Sequence, residues 1–148
     1  MKKILFISGM ITVTLICSCS TVKQYEKQAS IETAEWSLIS VKNVVSDKEL
    51  VPTDGFPVTM KIVGDKVSGV SGCNNYNGMV TVDKKTIKFE RMISTKKYCM
   101  QGMDVENAVL KVFASADGYE LEADRLTLKH GSEVLATFEA LSGKKQVE

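Results

Sequence analysis

Residues 69–78 read Gly-Val-Ser-Gly-Cys-Asn-Asn-Tyr-Asn-Gly and lie between two segments of β-type sequence. Glycine and asparagine are the residues that adopt positive φ at the lowest cost. Three of each within ten positions therefore predict a specified backbone bend between two strands. None of the ten residues is an evident catalytic group, so the stretch predicts architecture more directly than chemistry.

Apolar residues recur at every second position on both sides of this bend. Val58, Met60 and Ile62 precede it, and Val80 and Val82 follow it, which is the pattern of half-buried strands. Strands are predicted at residues 36–41, 57–63, 66–70, 79–83, 86–90, 119–122, 125–129 and 133–139. The segment 43–56 is predicted to be a polar loop.

One amphipathic helix is predicted after the fifth strand, with Asp104 as its N-cap. Its apolar stripe follows the spacing i, i+3, i+4, i+7 and i+8 and consists of Val105, Ala108, Val109, Val112 and Phe113. About eight short strands, one helix and mostly hairpin-length connections predict a mainly β (α+β) fold. We expect a single antiparallel β-barrel or half-barrel with the helix packed against it.

Composition narrows the classes of partner and cofactor. The 148-residue chain carries 19 basic and 18 acidic residues without a basic stripe, so nucleic acid is not an expected partner. No C-x-x-C pair or Cys/His cluster occurs, and His130 is the sole histidine, so no zinc site is expected. No other metal or cofactor is indicated.

The N-terminus predicts export. Lys2 and Lys3 precede the uncharged apolar run 4–16, which as a helix would span about 20 Å and is shorter than a hydrocarbon core of about 30 Å. A positive start, a short apolar run and small residues after it are typical of a secretory signal rather than a membrane span.

Residues 15–19, Leu-Ile-Cys-Ser-Cys, resemble a bacterial lipobox, in which cleavage leaves an acylated cysteine as the first mature residue. The resemblance implies a signal peptide at 1–18 and a lipid anchor on Cys19. The polar residues that follow show no apolar period and predict a flexible tether over 19–34. The alternative is an ordinary signal peptide that leaves a soluble periplasmic protein. Because no acidic block follows Cys19, we expect a position in the outer membrane facing the periplasm.

The folded domain is predicted over residues 35–141, followed by a frayed tail at 142–148. Its central bend resembles the META domain of the HslJ-like heat-shock lipoprotein family, through Gly69-x-x-Gly72-Cys73-Asn74-x-Tyr76-x-Gly78 and the later Thr95-x-x-x-Cys99. The sequence departs from the family at Lys97-Tyr98, where Met-Ala is commoner. The resemblance implies a small β-rich envelope domain associated with heat shock and antibiotic tolerance, with no catalytic residues.

Cys73 and Cys99 admit three interpretations. An even pair of cysteines in an exported protein is typical of a disulfide, which for this loop would stabilise the fold by about 3.5 kcal/mol in the chain-entropy model. The alternatives are two buried thiols or a reactive cysteine. A reactive cysteine needs a base and an orienting partner, and His130 lies in a separate predicted hairpin.

The polar residues near the bend also have two interpretations. Asn74, Asn75 and Asn77 form either a recognition surface or local hydrogen bonds that fix the bend, with the Tyr76 ring packed on the sheet. The second interpretation is favoured. The pair Lys96-Lys97 is likewise interpreted as part of a solvated loop rather than as a contact with anionic lipid.

These patterns predict a non-enzymatic envelope lipoprotein, attached to the membrane by its lipid anchor, whose domain binds another protein, a lipid or a peptide during stress. The alternative is a small-ligand or lipid carrier that uses the barrel interior. An enzyme is the third possibility, but the chain carries no recognisable catalytic set.

Replacing Cys19 with Ala removes the residue predicted to be acylated. Because each buried CH₂ of an acyl chain contributes about 0.8 kcal/mol, we expect the Cys19→Ala chain to leave the membrane fraction. Cell fractionation with immunoblotting measures this, and Cys17→Ala is the matched control that stays membrane-bound. Continued attachment of the Cys19→Ala chain after a high-salt wash would contradict the lipid anchor.

Overall fold

The computed structural model describes residues 30–141. Within that range it contains β1 (Glu35–Asn43), β2 (Lys48–Leu50), β3 (Thr59–Val63), β4 (Lys66–Val70), β5 (Asn75–Asp83), β6 (Thr86–Ser94), α1 (Met103–Ser115), β7 (Gly118–Glu122), β8 (Arg125–His130) and β9 (Glu133–Ala140). The predicted signal peptide, the lipidation residue Cys19, the tether up to residue 29 and the tail at 142–148 lie outside the described residues.

All nine of these strands belong to one antiparallel sheet that curves round on itself. The hydrogen-bonded order is β2-β1-β3-β4-β5-β6-β7-β8-β9, and β9 pairs again with β1. The β1–β9 register extends from Trp36↔Ala140 to Val41↔Ala136, whereas β6 and β7 share the single pair Thr86↔Gly118. The predicted mainly β half-barrel is therefore confirmed, with its weakest strand pairing between β6 and β7.

Helix α1 packs against β1, β6 and β9, and all five residues of its predicted apolar stripe are buried. The Phe113 ring centroid lies 4.7 Å from that of Phe89 on β6 and 5.1 Å from that of Tyr76 on β5. Gly102 occupies the N-cap without a side-chain capping bond, so the predicted Asp104 cap is wrong. Asp104 instead lies in the first turn, where a carboxylate favours the helix dipole.

Trp36 anchors the core from β1, as its position in the first strand predicts. It is 0% exposed, and its Nε1 donates a hydrogen bond of 3.1 Å to the carbonyl oxygen of Ile31. Ile31 is itself buried, although the sequence placed it in the tether. The packed part of the chain therefore begins before Glu35. The sequence did not indicate this, because one apolar residue in a polar stretch produces no periodic signal.

Other boundaries also differ from the prediction, and β5 begins at Asn75, inside the predicted bend, instead of at residue 79. The predicted polar loop contains β2, a ninth strand of three residues that pairs with the end of β1 and is too short to show alternation. Strand β6 continues to Ser94, beyond the predicted break, because a β-bulge accommodates the change in the alternation of its apolar and polar side chains. That bulge places Arg91 at a φ of 51° and shifts the β5–β6 register between Asn77 and Met79.

Gly69 lies where Tyr76 and the neighbouring strand β3 leave no room for a side chain. Gly69 on β4 pairs with Tyr76 on β5, and the Tyr76 hydroxyl donates a hydrogen bond of 2.9 Å to the carbonyl oxygen of Thr59 on β3. A Cβ at position 69 would lie under 3.0 Å from that same carbonyl oxygen. Any side chain there would therefore push β3 and β4 apart.

We expect Gly69→Ala to lower the free energy of unfolding by about 1–3 kcal/mol, the usual cost of overpacking. The matched control is Gly118→Ala, whose Cβ would meet the nearest atom, the Lys85 carbonyl oxygen, at an ordinary 3.4 Å. Urea unfolding followed by Trp36 fluorescence measures both variants. Equal stability of the two would contradict the steric role of Gly69.

Candidate functional site

The predicted motif residues meet at a corner between β4, β5 and the start of α1. Gly72 has a φ of 110°, and a Cβ added to it would lie 3.2 Å from the carbonyl oxygen of Gly102. The Ser71 backbone N–H and hydroxyl both donate to the carbonyl oxygen of Asn74, at 2.8 and 3.0 Å. Glycine suits position 72 because the backbone there is both left-handed and closely approached.

Asn74 is the centre of a buried hydrogen-bond network. Its side chain is 1% exposed, and its Oδ1 accepts from the Thr95 hydroxyl and the Lys97 N–H, each at 2.7 Å. Its Nδ2 donates to the Lys97 carbonyl oxygen at 3.0 Å and to Glu106 Oε1 at 2.8 Å. These four bonds use the full capacity of the amide. They join the bend to residues 21 to 32 positions away, whereas the sequence-based interpretation assumed local bonds.

Glu106 supplies the acceptor on the helix side of the corner. It lies in the first turn of α1 and is 4% exposed. Its Oε2 accepts from the N–H groups of Asn74 and Cys73, at 2.9 and 3.3 Å. A buried carboxylate is tolerated when N–H donors replace its water, and the positive end of the helix dipole adds to this.

The network through Glu106 was not predicted from the sequence, although one signal was available. Glu106 directly follows Val105 and precedes Val109 by three residues, which puts a carboxylate at the margin of the apolar stripe. A charged residue at that margin needs buried donors. The donors themselves could not be recognised from any periodic pattern, because they lie 32 and 33 residues away in sequence.

Cys73 and Cys99 lie at disulfide distance, with 5.8 Å between their Cα atoms, inside the usual range. This geometry supports the disulfide among the three interpretations. It would attach the corner to the segment between β6 and α1, the same segment that Asn74 binds through Thr95 and Lys97.

Tyr76 carries the network into the core. It is 2% exposed, and burial raises the pKa of its phenol well above the usual range. The neutral hydroxyl is therefore retained as a donor to Thr59. The Tyr76 ring contacts Phe113 of α1, so it packs against the helix, whereas packing on the sheet was predicted.

Of the predicted motif residues, only Gly78 lies apart from the corner. It sits at the β5–β6 bulge, where an added Cβ would stand 3.0 Å from the Glu90 carbonyl oxygen and 3.2 Å from the Met92 Cα. Its role is close backbone approach. The remaining predicted residues, Gly69, Gly72, Cys73, Asn74, Tyr76, Thr95 and Cys99, contact one another or a shared neighbour.

Other titratable groups lie outside the corner. His130 Nδ1 is 2.9 Å from Asp117 Oδ2, and both side chains are exposed. The Lys129 ammonium, 2.7 Å from Glu120, holds the pKa of Glu120 below its usual value. An open cleft of about 400 Å³ beside β7 is lined by Lys84, Lys85, Tyr119, Glu120, Leu121 and Glu122.

The described part of the chain lacks two kinds of feature. Over residues 30–141, no three or more His, Cys, Asp or Glu side chains are grouped so as to hold a metal ion. No helix in that same range has the length and apolar character needed to span a membrane.

Comparison with known proteins places the corner in a family. Residues 29–142 match the model of the META domain. An NMR structure of a protein from Burkholderia xenovorans is 23% identical, with a TM-score of 0.61 over 74% of this chain and 83% of that one. A second NMR structure is 19% identical, with a TM-score of 0.58 over 75% and 94%. No curated protein matches the chain.

We expect Glu106→Gln to lower the free energy of unfolding by about 1–3 kcal/mol, because an amide nitrogen would face N–H donors and leave a buried group unsatisfied. Asp104→Asn is the matched control. It removes an exposed carboxylate from the same helical turn and should cost less than about 1 kcal/mol through the dipole alone. Urea unfolding of oxidised protein measures both, and equal losses would assign the effect of Glu106 to the dipole instead of the network.

Proposed function

Because the chain belongs to the META domain family, we propose that it is a bacterial envelope lipoprotein whose domain acts as a non-enzymatic interaction module during stress. In this proposal the Cys19 lipid anchor holds the domain at the outer membrane, facing the periplasm. The partner is another envelope protein or a lipid. The association with heat shock and antibiotic tolerance comes from the HslJ-like resemblance alone.

The observation that supports the proposal is that the reactive groups at the corner are already bonded to, or paired with, other groups of the protein. The Glu106 carboxylate accepts three N–H groups, and the two cysteines lie at disulfide distance from each other. Within residues 30–141, every buried side-chain nitrogen or oxygen has a hydrogen-bond partner. Fully satisfied buried networks rigidify a fold, which favours a scaffold for binding over a reacting site.

The packing of the interior favours a role for the surface over the carrier alternative. Trp36, Phe113 and Phe138 are each at most 1% exposed and are the largest of the fully buried side chains. They fill the space between the helix and the curved sheet. A carried ligand would have to displace them, whereas a surface partner would leave the core intact.

Deletion of the coding gene followed by complementation tests the proposal. We expect the deletion strain to lose viability under heat, detergent or antibiotic challenge, and wild-type protein to restore it. The Cys19→Ala chain should fail to restore viability, because the domain would no longer be held at the membrane. The Gly118→Ala chain is the matched control that restores it.

An unchanged phenotype under all three challenges would contradict the stress role. Full restoration by the Cys19→Ala chain would contradict the need for an anchor while leaving the interaction role in place. Native mass spectrometry of gently purified protein separates the carrier alternative, since a carrier retains a stoichiometric small molecule.

A further inference from the structure

The segment between β6 and α1 exposes two large apolar side chains. We call residues 95–102 the Cys99 loop. Tyr98 is 80% exposed and Met100 is 83% exposed, the highest values among the large hydrophobic residues in the described part of the chain. Exposed apolar side chains grouped in this way mark contact surfaces more often than isolated ones do.

The backbone of the Cys99 loop is held at alternate positions. Asn74 bonds to Thr95 and Lys97, Cys99 lies at disulfide distance from Cys73, and the Thr53 hydroxyl donates to the carbonyl oxygen of Gln101 at 3.2 Å. Residues 95–98, 100 and 101 are exposed, the attached positions 95, 97 and 101 among them. The attachments fix the course of the loop, so Tyr98 and Met100 are exposed on a segment that is held to the corner.

The charged residues of the loop itself are all basic. Residues 91–103 contain Arg91, Lys96 and Lys97 and no acidic residue. The exposed carboxylates of Asp54 and Asp104 lie near the base of the loop, on the neighbouring 51–56 segment and the first turn of α1. The tip of the loop therefore combines an aromatic ring, a thioether and two ammonium groups.

We propose that the Cys99 loop is a second membrane contact, in which Tyr98 and Met100 insert at the level of the lipid headgroups while Lys96 and Lys97 contact anionic headgroups. This replaces the sequence-based interpretation of Lys96-Lys97 as a solvated pair, because the structure exposes Tyr98 and Met100 beside the two lysines. Tyrosine is enriched at membrane interfaces, and lysine places its apolar stem against the bilayer with its charge in water. Tyrosine and methionine are also enriched in protein–protein interfaces, but lysine is depleted there, so the pair Lys96-Lys97 favours a lipid surface over a protein partner.

This inference rests on the proposed function, because the loop can contact the bilayer in the cell only if the protein is held at the membrane. A lipid anchor on a tether leaves the orientation of a domain free. Insertion of the Cys99 loop would hold the β6–α1 end of the half-barrel against the bilayer. The opposite end would then be presented to the periplasm.

A tryptophan placed in the loop reports this contact directly. The Tyr98→Trp variant of the full chain is mixed with vesicles of phosphatidylglycerol and phosphatidylethanolamine, with and without brominated acyl chains. We expect a blue shift and quenching by the brominated lipid. The matched control is Val45→Trp, at an exposed apolar position in the β1–β2 connection, and Trp36 provides a constant buried background.

Charge replacement tests the lysines in the same assay. Lys96→Gln and Lys97→Gln, each combined with Tyr98→Trp, should weaken vesicle partitioning by about five-fold apiece. Position 98 is on the surface, so the variants should fold, and an unchanged Trp36 emission maximum in the Lys→Gln chains without the reporter verifies this.

The outcomes separate this inference from the lipid anchor. A shift and quenching at position 98 in a chain that also carries Cys19→Ala would support the loop contact without the anchor. Sedimentation of the full chain with vesicles while position 98 gives no shift, or gives the same response as position 45, would overturn the loop contact and keep the anchor. A shift produced by lipid-free envelope extract and not by vesicles would assign the loop to a protein partner and overturn the inference.

Discussion

The buried contact between Asn74 and Glu106 is the constraint on which this end of the molecule depends. It joins three separate parts of the chain, namely the bend after β4, the segment after β6 and the first turn of α1. A buried carboxylate costs several kcal/mol unless donors replace its hydration. The corner provides those donors from the backbone of Cys73 and Asn74 and from the Asn74 side chain, so the bend and the helix start stabilise each other.

The position of the helix on the sheet follows from this constraint. Glu106 fixes the first turn of α1, and Phe113, about two turns later, reaches the rings of Phe89 and Tyr76. Asn74 is the bend residue just before β5, and Tyr76 is the second residue of β5. Asn74 contacts the start of the helix, and Tyr76 contacts Phe113 in its last turn. The spacing of the motif thus specifies a docking geometry for α1.

Sequence periodicity predicted the parts of the fold that repeat locally. The strands around the bend and the stripe of α1 are periodic over several residues, so their type and order could be predicted. Glu106, Ile31 and β2 could not, because each is defined by a partner distant in sequence and occupies too few residues to show a period. Thr95 was identified only through the family resemblance, whereas Cys99 was also indicated by the even pair of cysteines, and the structure supplies their physical role beside Asn74.

Some residues of the Cys99 loop attach it to the corner, and others take no part in that attachment. Positions 95, 97 and 99 carry the hydrogen bonds and the cysteine that attach it to the corner, whereas the side chains of Tyr98 and Met100 take no part in that attachment. Polar residues at 98 and 100 would leave the corner unchanged. The departure of Lys97-Tyr98 from the usual family pattern lies on this exposed side, because the corner uses the backbone of Lys97 and not its ammonium group. Features particular to this chain are therefore to be sought on the exterior of the loop, where a change of side chain alters what the domain contacts without altering how it folds.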